Sequence, residues 1–276
     1  MSESAAPPPG GEPGRFAPCG IVTLTTDFGL HDPFVGAMKG RILARCPTAR
    51  IVDLTHGITP FRPAGAGFWL ARLRHDFPAG TVHVAVVGPG VGTSRRLLGV
   101  ELEGQVLLAP DNGLAGPLAG RPGARVRAWG EPLLAALCAE PSATFHGRDL
   151  FAPLAAELAA GRLSFDDIGS ECADWVAPVA AGPARTTGEI RGEVLLADRF
   201  GNIFSNIELE FDVLRKARAV RFAGHRLPVA RTYGERPAGS CVALVNAFGV
   251  VEAACVGGSA ADVLGLRAGD PVVVEL

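Results

Sequence analysis

The sequence is poor in aromatic residues, in net charge and in long apolar runs. Phe, Trp and Tyr make up 7% of its 276 residues, and Tyr233 is the one tyrosine. So few rings argue against a platform on which nucleic-acid bases stack. The formal net charge of −2 gives no broad basic field for nucleic acid or an anionic membrane. No apolar run reaches the roughly 18 residues of a membrane span, so we expect neither nucleic acid nor membrane as a partner.

The six cysteines are scattered, and no two of them form a CxxC pair. Their spacing indicates neither a zinc site nor a redox pair, and no metal is expected. We predict reduced thiols in a cytoplasmic protein. The first 18 residues are rich in proline and glycine and lack the basic-then-apolar pattern of a signal peptide. This composition predicts a disordered tail over residues 1–18.

From Gly20 the pattern alternates between strands and helices. Helices are predicted from Asp32 to about Cys46, over 64–75 and over 149–160. Asp32-Pro33 opens the first and Asp149 caps the third, because aspartate caps well and proline suits the first turn. This alternation predicts an α/β N-terminal domain over residues 19–180, with a largely parallel sheet and flanking helices. The predicted strands are 20–26, 50–54, 81–87, 97–101 and 105–108.

After the small-residue segment 180–187 the helical periodicity fades. The short apolar runs that follow predict a smaller β-rich domain over residues 187–276. One short helix, 259–264, interrupts them. The predicted strands are 189–197, 202–207, 219–222, 241–246, 250–256 and 271–275.

Four turns collect acidic, glycine and aromatic residues at strand ends, and three of them lie in the α/β half, where open sheets build their sites. Asp27 could accept hydrogen bonds from a ribose diol, or it could cap a turn. The glycines of segment 88–93 could admit a ligand or form a tight turn, and no P-loop lysine follows them. His146 could be a general base or a structural residue. Segment 198–202 could hold an ammonium group and a base, or it could be a hairpin turn.

Six ordered segments carry a more specific signal: TTDFG, ITPF, GPGVGTSRR, APDNG, TFHGRDLFAP and DRFGN. In this order the chain resembles the S-adenosyl-L-methionine (SAM) hydroxide adenosyltransferases, the hydrolytic relatives of fluorinase and chlorinase, over residues 20–276. The resemblance implies an N-terminal α/β domain, a C-terminal β-barrel-like domain and a homotrimer with sites at subunit interfaces. It also implies that SAM is the substrate, that no cofactor is used, and that hydroxide attacks C5′ to give adenosine and methionine.

The resemblance also implies substrate-binding positions. Asp27 matches the aspartate that grips the ribose hydroxyls, and Asp32 matches an acidic position near the methionine end. Relatives commonly carry serine at the position of Ala247. The remaining implied contacts are Phe61 beside the ligand, Asp198 at the methionine amino group, Phe200 and Asn202 on the adenine side, and Ala247, Phe248, Glu252 and Gly257 around methionine and adenine.

An Asp-Arg-His set marks the hydrolytic family. Arg95 matches its arginine and His146 its histidine, but Gly88 stands where the family has the aspartate. We therefore expect substrate binding to be kept and turnover to be reduced, by about 10²–10⁴-fold for one missing acid–base participant. We also expect Gly88→Asp to raise the release of adenosine.

Three alternatives remain at this level. One is a catalytically impaired protein that binds SAM or adenosine, which Gly88 keeps open. Another is a SAM-dependent halogenase, which the short segment between Arg96 and Asp111 disfavours, because halogenases carry an extra loop there. A third is a dinucleotide-binding protein, and the missing GxGxxG-to-helix arrangement counts against it.

Overall fold

The computed structural model describes residues 14–178 and 182–276. The protein divides into two compact units, Met1–Val179 and Ala180–Leu276. The predicted tail falls outside the described residues up to residue 13, as do residues 180 and 181 of the predicted linking segment 180–187. In the described residues 14–18, the backbone N–H of Phe16 donates to the Glu101 carboxylate at 2.7 Å. The packed chain therefore begins before residue 19, because this segment satisfies a buried acceptor.

The first unit has helices on both sides of one sheet. Its helices are α1 (Phe34–Arg45), α2 (Pro63–Leu73), α3 (Gly116–Ala119), α4 (Glu131–Leu137) and α5 (Ala152–Ala159), with 3₁₀ turns at Arg74–Asp76 and Phe165–Ile168 and a π-helical turn at Gly147–Phe151. Its strands are β1 (Ile21–Thr26), β2 (Arg50–Thr55), β3 (Val82–Val86), β4 (Leu97–Leu102), β5 (Gln105–Pro110), β6 (Arg125–Trp129) and β7 (Gly169–Glu171).

The sheet of the first unit is mixed, in the order β2-β1-β3-β5-β4-β6-β7. The first four strands in this order run parallel, as the alternation predicts, whereas β4, β6 and β7 join antiparallel. The chain leaves β1 on one side to form β2 and returns on the other side as β3. This reversal places a topological switch point at the carboxyl ends of β1 and β3, where open α/β sheets leave a crevice for ligands.

Apolar residues cover both faces of this sheet. Met38 and Phe151 belong to the cluster on one face, and Leu70 and Leu114 belong to the cluster on the other. Each fully buried side chain of this size contributes roughly 1.5–3 kcal/mol. Burial on both faces explains the nearly continuous apolar runs of β3, β4 and β5.

The second unit is antiparallel. Its elements are the strands β8 (Ala184–Arg185), β9 (Glu189–Ala197), β10 (Ile203–Glu208), β11 (Ala219–Phe222), β12 (His225–Leu227), β13 (Cys241–Val245), β14 (Val250–Cys255) and β15 (Pro271–Glu275), the helices α6 (Phe211–Leu214) and α7 (Ala260–Leu264), and a 3₁₀ turn at Tyr233–Glu235. The strand order is β12-β11-β15-β9-β10-β14-β13, with β8 paired to β9.

The two edges of this second sheet approach each other. The backbone N–H of Ala230 donates to Ala243 O, and that of Ala243 donates to Pro228 O, each at 2.9 Å. The segment after β12 thereby meets β13 and nearly closes a barrel, which removes exposed sheet edges. The predicted β-barrel-like second domain is confirmed.

Two predicted helix caps are wrong. Helix α1 begins at Phe34, and its cap position is Pro33, without a side-chain bond from Asp32. Asp149 lies inside the π-helical turn rather than before a helix. Its carboxylate accepts the Ser142 N–H at 2.9 Å and pairs with Arg148, so it anchors the preceding loop instead of a helix end.

The prediction of six reduced cysteines is also wrong. Cys241 and Cys255 lie directly opposite each other on β13 and β14, and they form a disulfide with a Cα–Cα distance of 4.0 Å. The strand register brings them together, and cysteine spacing in the sequence does not reveal a register. The free cysteines are Cys19, Cys46, Cys138 and Cys172. No helix within the described ranges has the length and apolarity to cross a membrane.

Candidate functional site

Asp27 lies directly after β1, at the switch point. Its Oδ2 accepts the backbone N–H of Phe61, which follows β2, and that of Gly88, which follows β3, each at 3.1 Å. One oxygen therefore ties three strand ends together. Within the described chain no group donates to Oδ1, so this oxygen can accept a hydroxyl of a ligand.

The two donors to Asp27 have unusual backbones. Phe61 has a φ of 64° although it carries a side chain, and 70% of that side chain is exposed. A left-handed conformation costs such a residue about 1–2 kcal/mol, and strain of this kind concentrates at functional sites. Gly88 has a φ of 95°, and a Cβ there would lie 3.0 Å from Nδ2 of Asn112. Position 88 is therefore built for glycine in this fold.

Gly92 explains how the glycine-rich segment is placed. Its φ is 72°, and a Cβ there would lie 2.1 Å from the carbonyl oxygen of Ala143. Only glycine permits this approach, which packs the loop after β3 against the loop that leads to His146. At Gly92 the close approach is therefore to the protein's own chain.

Arg95 and His146 act on each other in this region. The Arg95 guanidinium donates to the carbonyl of Pro89, and its buried Nε has no hydrogen-bond partner in the described chain. Burial lowers the pKa of Arg95, and the charge of Asp111 opposes this shift. Burial, followed by the Arg95 charge, lowers the pKa of His146, and Asp149 opposes this shift. The imidazole is consequently neutral at neutral pH and able to accept a proton.

The neighbouring Arg96 is structural. It pairs with Asp111 at 2.7 Å and with Asp174 at 2.7 Å. Asp111 also accepts the N–H of Val176 at 2.7 Å. Arg95 is therefore the arginine of the SRR segment that is available for chemistry.

Asp32 is exposed, and the structure gives it no bond to the other predicted residues of the first unit. Its link to Asp27 therefore rests on their closeness in the sequence, where five positions separate them. Among residues 14–178 and 182–276, no group of three or more His, Cys, Asp or Glu side chains could hold a metal ion.

The second unit contains a pocket of about 730 Å³. This volume lies in the range of sites for small molecules. The pocket is lined by every residue predicted for this half: Asp198, Phe200, Asn202, Ala247, Phe248, Glu252 and Gly257. The structure adds residues that the sequence analysis missed, among them Phe204, Tyr233, Asn246 and Ser259.

Glu252 gives the pocket its charge. It is buried, its Oε1 accepts the Tyr233 hydroxyl at 2.9 Å, and its Oε2 accepts Nδ2 of Asn246 at 2.9 Å. Burial raises the pKa of Glu252, whereas the two hydrogen bonds lower it. Burial and the adjacent Glu252 raise the pKa of Tyr233 to about 12.

Asp198 forms the turn that the sequence left as an alternative. Its Oδ1 accepts the N–H groups of Phe200 and Asn202 at 2.8 and 2.9 Å, and its Oδ2 accepts the Asn202 amide at 3.0 Å. The turn presents the Phe200 ring, which is 77% exposed, at the pocket. Asp198 therefore shapes the pocket and also places a carboxylate in its wall.

Comparison with known families decides the assignment. The family model of the SAM hydroxide adenosyltransferase N-terminal domain matches residues 22–169, and that of the C-terminal domain matches residues 192–273. The chain belongs to the SAM hydroxide adenosyltransferase family.

Two hydrolase relatives cover nearly the whole length of this chain, and a fluorinase covers about two thirds of it. A protein of Thermus thermophilus named (R)-S-adenosyl-L-methionine hydrolase is 38% identical over 91% of this chain and 98% of its own. A protein of the same name from Salinispora arenicola is 37% identical over 92% of this chain and 97% of its own. A fluorinase of an Actinoplanes species is 28% identical over 68% of this chain and 71% of its own.

Solved structures share the fold of this adenosyltransferase. An uncharacterized conserved protein from Thermotoga maritima superposes with a TM-score of 0.81 at 32% identity, covering 92% of this chain and 99% of that one. A conserved hypothetical protein from Thermus thermophilus gives 0.74 at 36% identity, covering 92% and 99%.

The sequence contains a signal that could have led to Tyr233 and Asn246, two of the missed pocket residues. Glu252 stands among Val250, Val251, Ala253 and Ala254 in a strand, which predicts a buried carboxylate. A buried carboxylate requires donors, and Asn246 and Tyr233 in the flanking turns are candidates. Their pairing with Glu252 still requires the folded barrel.

Proposed function

We propose that this SAM hydroxide adenosyltransferase hydrolyses SAM to adenosine and L-methionine. Family membership supports this proposal. The observation in this chain that carries it is the Arg95 guanidinium, whose charge acts on His146 and which donates to the carbonyl of Pro89, the residue after the Gly88 that bonds to Asp27. Asp27 is thus the acceptor for the ribose diol, and Arg95 and His146 are the groups that activate water.

The reaction needs no general acid, because the leaving group is a neutral thioether. The oxygen of water bonds to C5′ while the C5′–S bond breaks, and the electron pair leaves with the neutral thioether of methionine. The proton of the water passes to the neutral imidazole of His146 and then to solvent. The Arg95 guanidinium favours the developing hydroxide. This reaction uses no cofactor and no metal.

The substrate contacts extend the proposal. In the first unit, Asp27 accepts the ribose hydroxyls through its free Oδ1, Phe61 lies beside the ligand and Asp32 is near the methionine end. In the second unit, the pocket binds methionine and adenine. The proposed contacts there are Asp198, Phe200, Asn202, Ala247, Phe248, Glu252 and Gly257, which all line it.

We also propose a homotrimer with sites at subunit interfaces. The resemblance to the family supports this assembly, and it would cover the exposed rings of Phe61 and Phe200. Light scattering after size-exclusion chromatography tests it, and a monomer would contradict it. A cytoplasmic location also stays a proposal.

A SAM- or adenosine-binding protein without turnover is the second candidate. Gly88 favours it, because glycine supplies no carboxylate to orient the water. Chromatography of a reaction mixture with SAM separates the two candidates. Hydrolysis predicts equal amounts of adenosine and methionine above the protein-free control, and their loss in His146→Asn. Intact, retained SAM supports the binding protein, whereas 5′-chloro-5′-deoxyadenosine formed with chloride would indicate a halogenase.

A further inference from the structure

A series of polar contacts close to Asp27 joins Lys39, Asp53, His56 and Thr26. Lys39 donates to Oδ2 of Asp53 at 2.6 Å, and Oδ1 of Asp53 lies 3.1 Å from Nε2 of His56. Nδ1 of His56 lies 2.8 Å from the hydroxyl of Thr26, the residue before Asp27. His56 is 5% exposed and Thr26 is fully buried, so these contacts are shielded from water.

Each polar contact in this series can be given a donor and an acceptor without conflict. The approach of Asp53 to Nε2 is an ion-pair distance without hydrogen-bond geometry, and the negative charge of the carboxylate favours the proton of His56 on this nitrogen. Nδ1 then accepts the Thr26 hydroxyl proton, and the Thr26 oxygen accepts the N–H of Phe28 at 3.2 Å. Burial raises the pKa of Asp53, but the contacts with Lys39 and His56 outweigh this effect and lower it, so Asp53 stays charged.

The same residues clamp the backbone on both sides of Asp27. The N–H of Gly29 donates to the carbonyl of His56 at 2.8 Å, and that of Ile58 donates to the carbonyl of Thr26 at 3.4 Å. Residues 26–29 are thus held by the His56 backbone and by its ring. The hydrogen bonds of the Asp27 side chain within the described residues go to Phe61 and Gly88 and not to His56, so the effect of His56 on a ligand passes through the turn.

We propose that Asp53, His56 and Thr26 form a positioning relay for Asp27. The relay fixes the turn so that the free Oδ1 of Asp27 meets a ribose diol without reorganisation. This inference rests on the proposed function, because it takes Asp27 as the group that binds ribose. It predicts that losing the relay weakens recognition of the diol more than it weakens the rest of the site.

The first experiment compares two threonine variants of the full-length protein. Thr26→Val removes the hydroxyl from the relay, and Thr26→Ser restores it. Thr23→Val is the matched control, because Thr23 is equally buried on the same strand and meets Nδ1 of His83 at the same 2.8 Å. Titration calorimetry with adenosine and with 2′-deoxyadenosine gives the ratio of the two dissociation constants, and unfolding in urea gives stability.

We expect Thr26→Val to lower the preference for adenosine over 2′-deoxyadenosine by about tenfold, the scale of one hydrogen bond to a charged group. Thr26→Ser should retain the preference, and Thr23→Val should lose stability without changing it. Equal effects of Thr26→Val on both nucleosides would show a merely structural threonine and overturn the relay.

A second variant tests the far end of the relay. Asp53→Asn weakens the contact with His56, and Lys39→Met removes the other partner of Asp53. We expect about a threefold loss of diol preference in Asp53→Asn, as for a weakened second contact, and none in Lys39→Met. An unchanged preference in Asp53→Asn removes this residue from the relay.

The outcomes separate this inference from the proposed function. Wild-type protein that binds adenosine without hydrolysing SAM, and whose Thr26→Val variant loses diol preference, supports the relay and contradicts hydrolysis. Hydrolysis with an unchanged preference in Thr26→Val contradicts the relay alone. Wild-type protein that binds neither nucleoside overturns the relay, and it overturns the proposed function as well only if it also forms no adenosine from SAM.

Discussion

The backbone N–H of Gly88 donates to Oδ2 of Asp27 at 3.1 Å. Gly88, where the resemblance leads us to expect an aspartate, therefore holds the residue proposed to bind ribose. This bond is made with Gly88 in a left-handed backbone conformation, which glycine adopts readily and other residues adopt only with strain. Chemistry and backbone thus make opposite demands at position 88, and the first prediction separates them.

Gly88→Asp should raise turnover of SAM and lower stability. A carboxylate there can orient water, which is worth about 10²–10⁴-fold in kcat. Its Cβ must adopt a φ of 95° and lie 3.0 Å from the Asn112 amide, which costs about 1–2 kcal/mol. Adenosine release and urea unfolding measure the two effects.

Gly88→Asn is the matched control for this change. It has the same shape and backbone strain but no charge, so it should lose the same stability without the gain in kcat. Equal kcat values in the two variants would contradict a role for a carboxylate at position 88.

The pH dependence of kcat/KM should show His146 as a base. Burial and the Arg95 charge lower its pKa below the ordinary 6.5, so the rate should fall only as the pH drops through a midpoint below that value. Arg95→Met removes a neighbouring positive charge, so the pKa and the midpoint should move upward while turnover falls. An acid limb that stays in place in Arg95→Met would show that this charge does not act on the base.

The Tyr233 hydroxyl should ionise at a higher pH than an ordinary tyrosine. Because it is the single tyrosine, absorbance follows its ionisation directly. Burial and Glu252 raise its pKa to about 12, so the folded protein should ionise well above the urea-unfolded chain. Glu252→Gln removes the charge, and the transition should then shift toward the ordinary 10.0. A folded protein that already titrates near that value would contradict the Tyr233–Glu252 bond.

Alkylation should distinguish two classes of cysteine. Four thiols should react in the unfolded protein without reductant and six after reduction, because Cys241 and Cys255 form a disulfide. Cys241→Ala should destabilise the second unit by roughly 3 kcal/mol, as for a closed loop of about 15 residues. Peptide mass spectrometry identifies the pair, and six reactive thiols without reductant would show that it is reduced.

Local patterns in the sequence determined much of this protein. The alternation of apolar runs and helix periods predicts β1, α1, β2, α2 and β3, because both periods lie within a few residues. Ordered turn motifs predict the family, and with it seven of the residues that line the pocket of the second unit, but not Phe204, Tyr233, Asn246 or Ser259. The unpredicted β6 and α4 have short, weakly patterned runs.

The tertiary structure alone decided the pairings between distant segments. The bond between Gly88 and Asp27 joins residues 61 positions apart, and the approach of Gly92 to Ala143 brings Arg95 to His146. The Cys241–Cys255 pair depends on strand register, and the Tyr233–Glu252 bond depends on barrel closure. Such contacts follow from topology and packing, which a local pattern does not encode. The sequence thus determined which side chains are available, and the fold decided which of them meet.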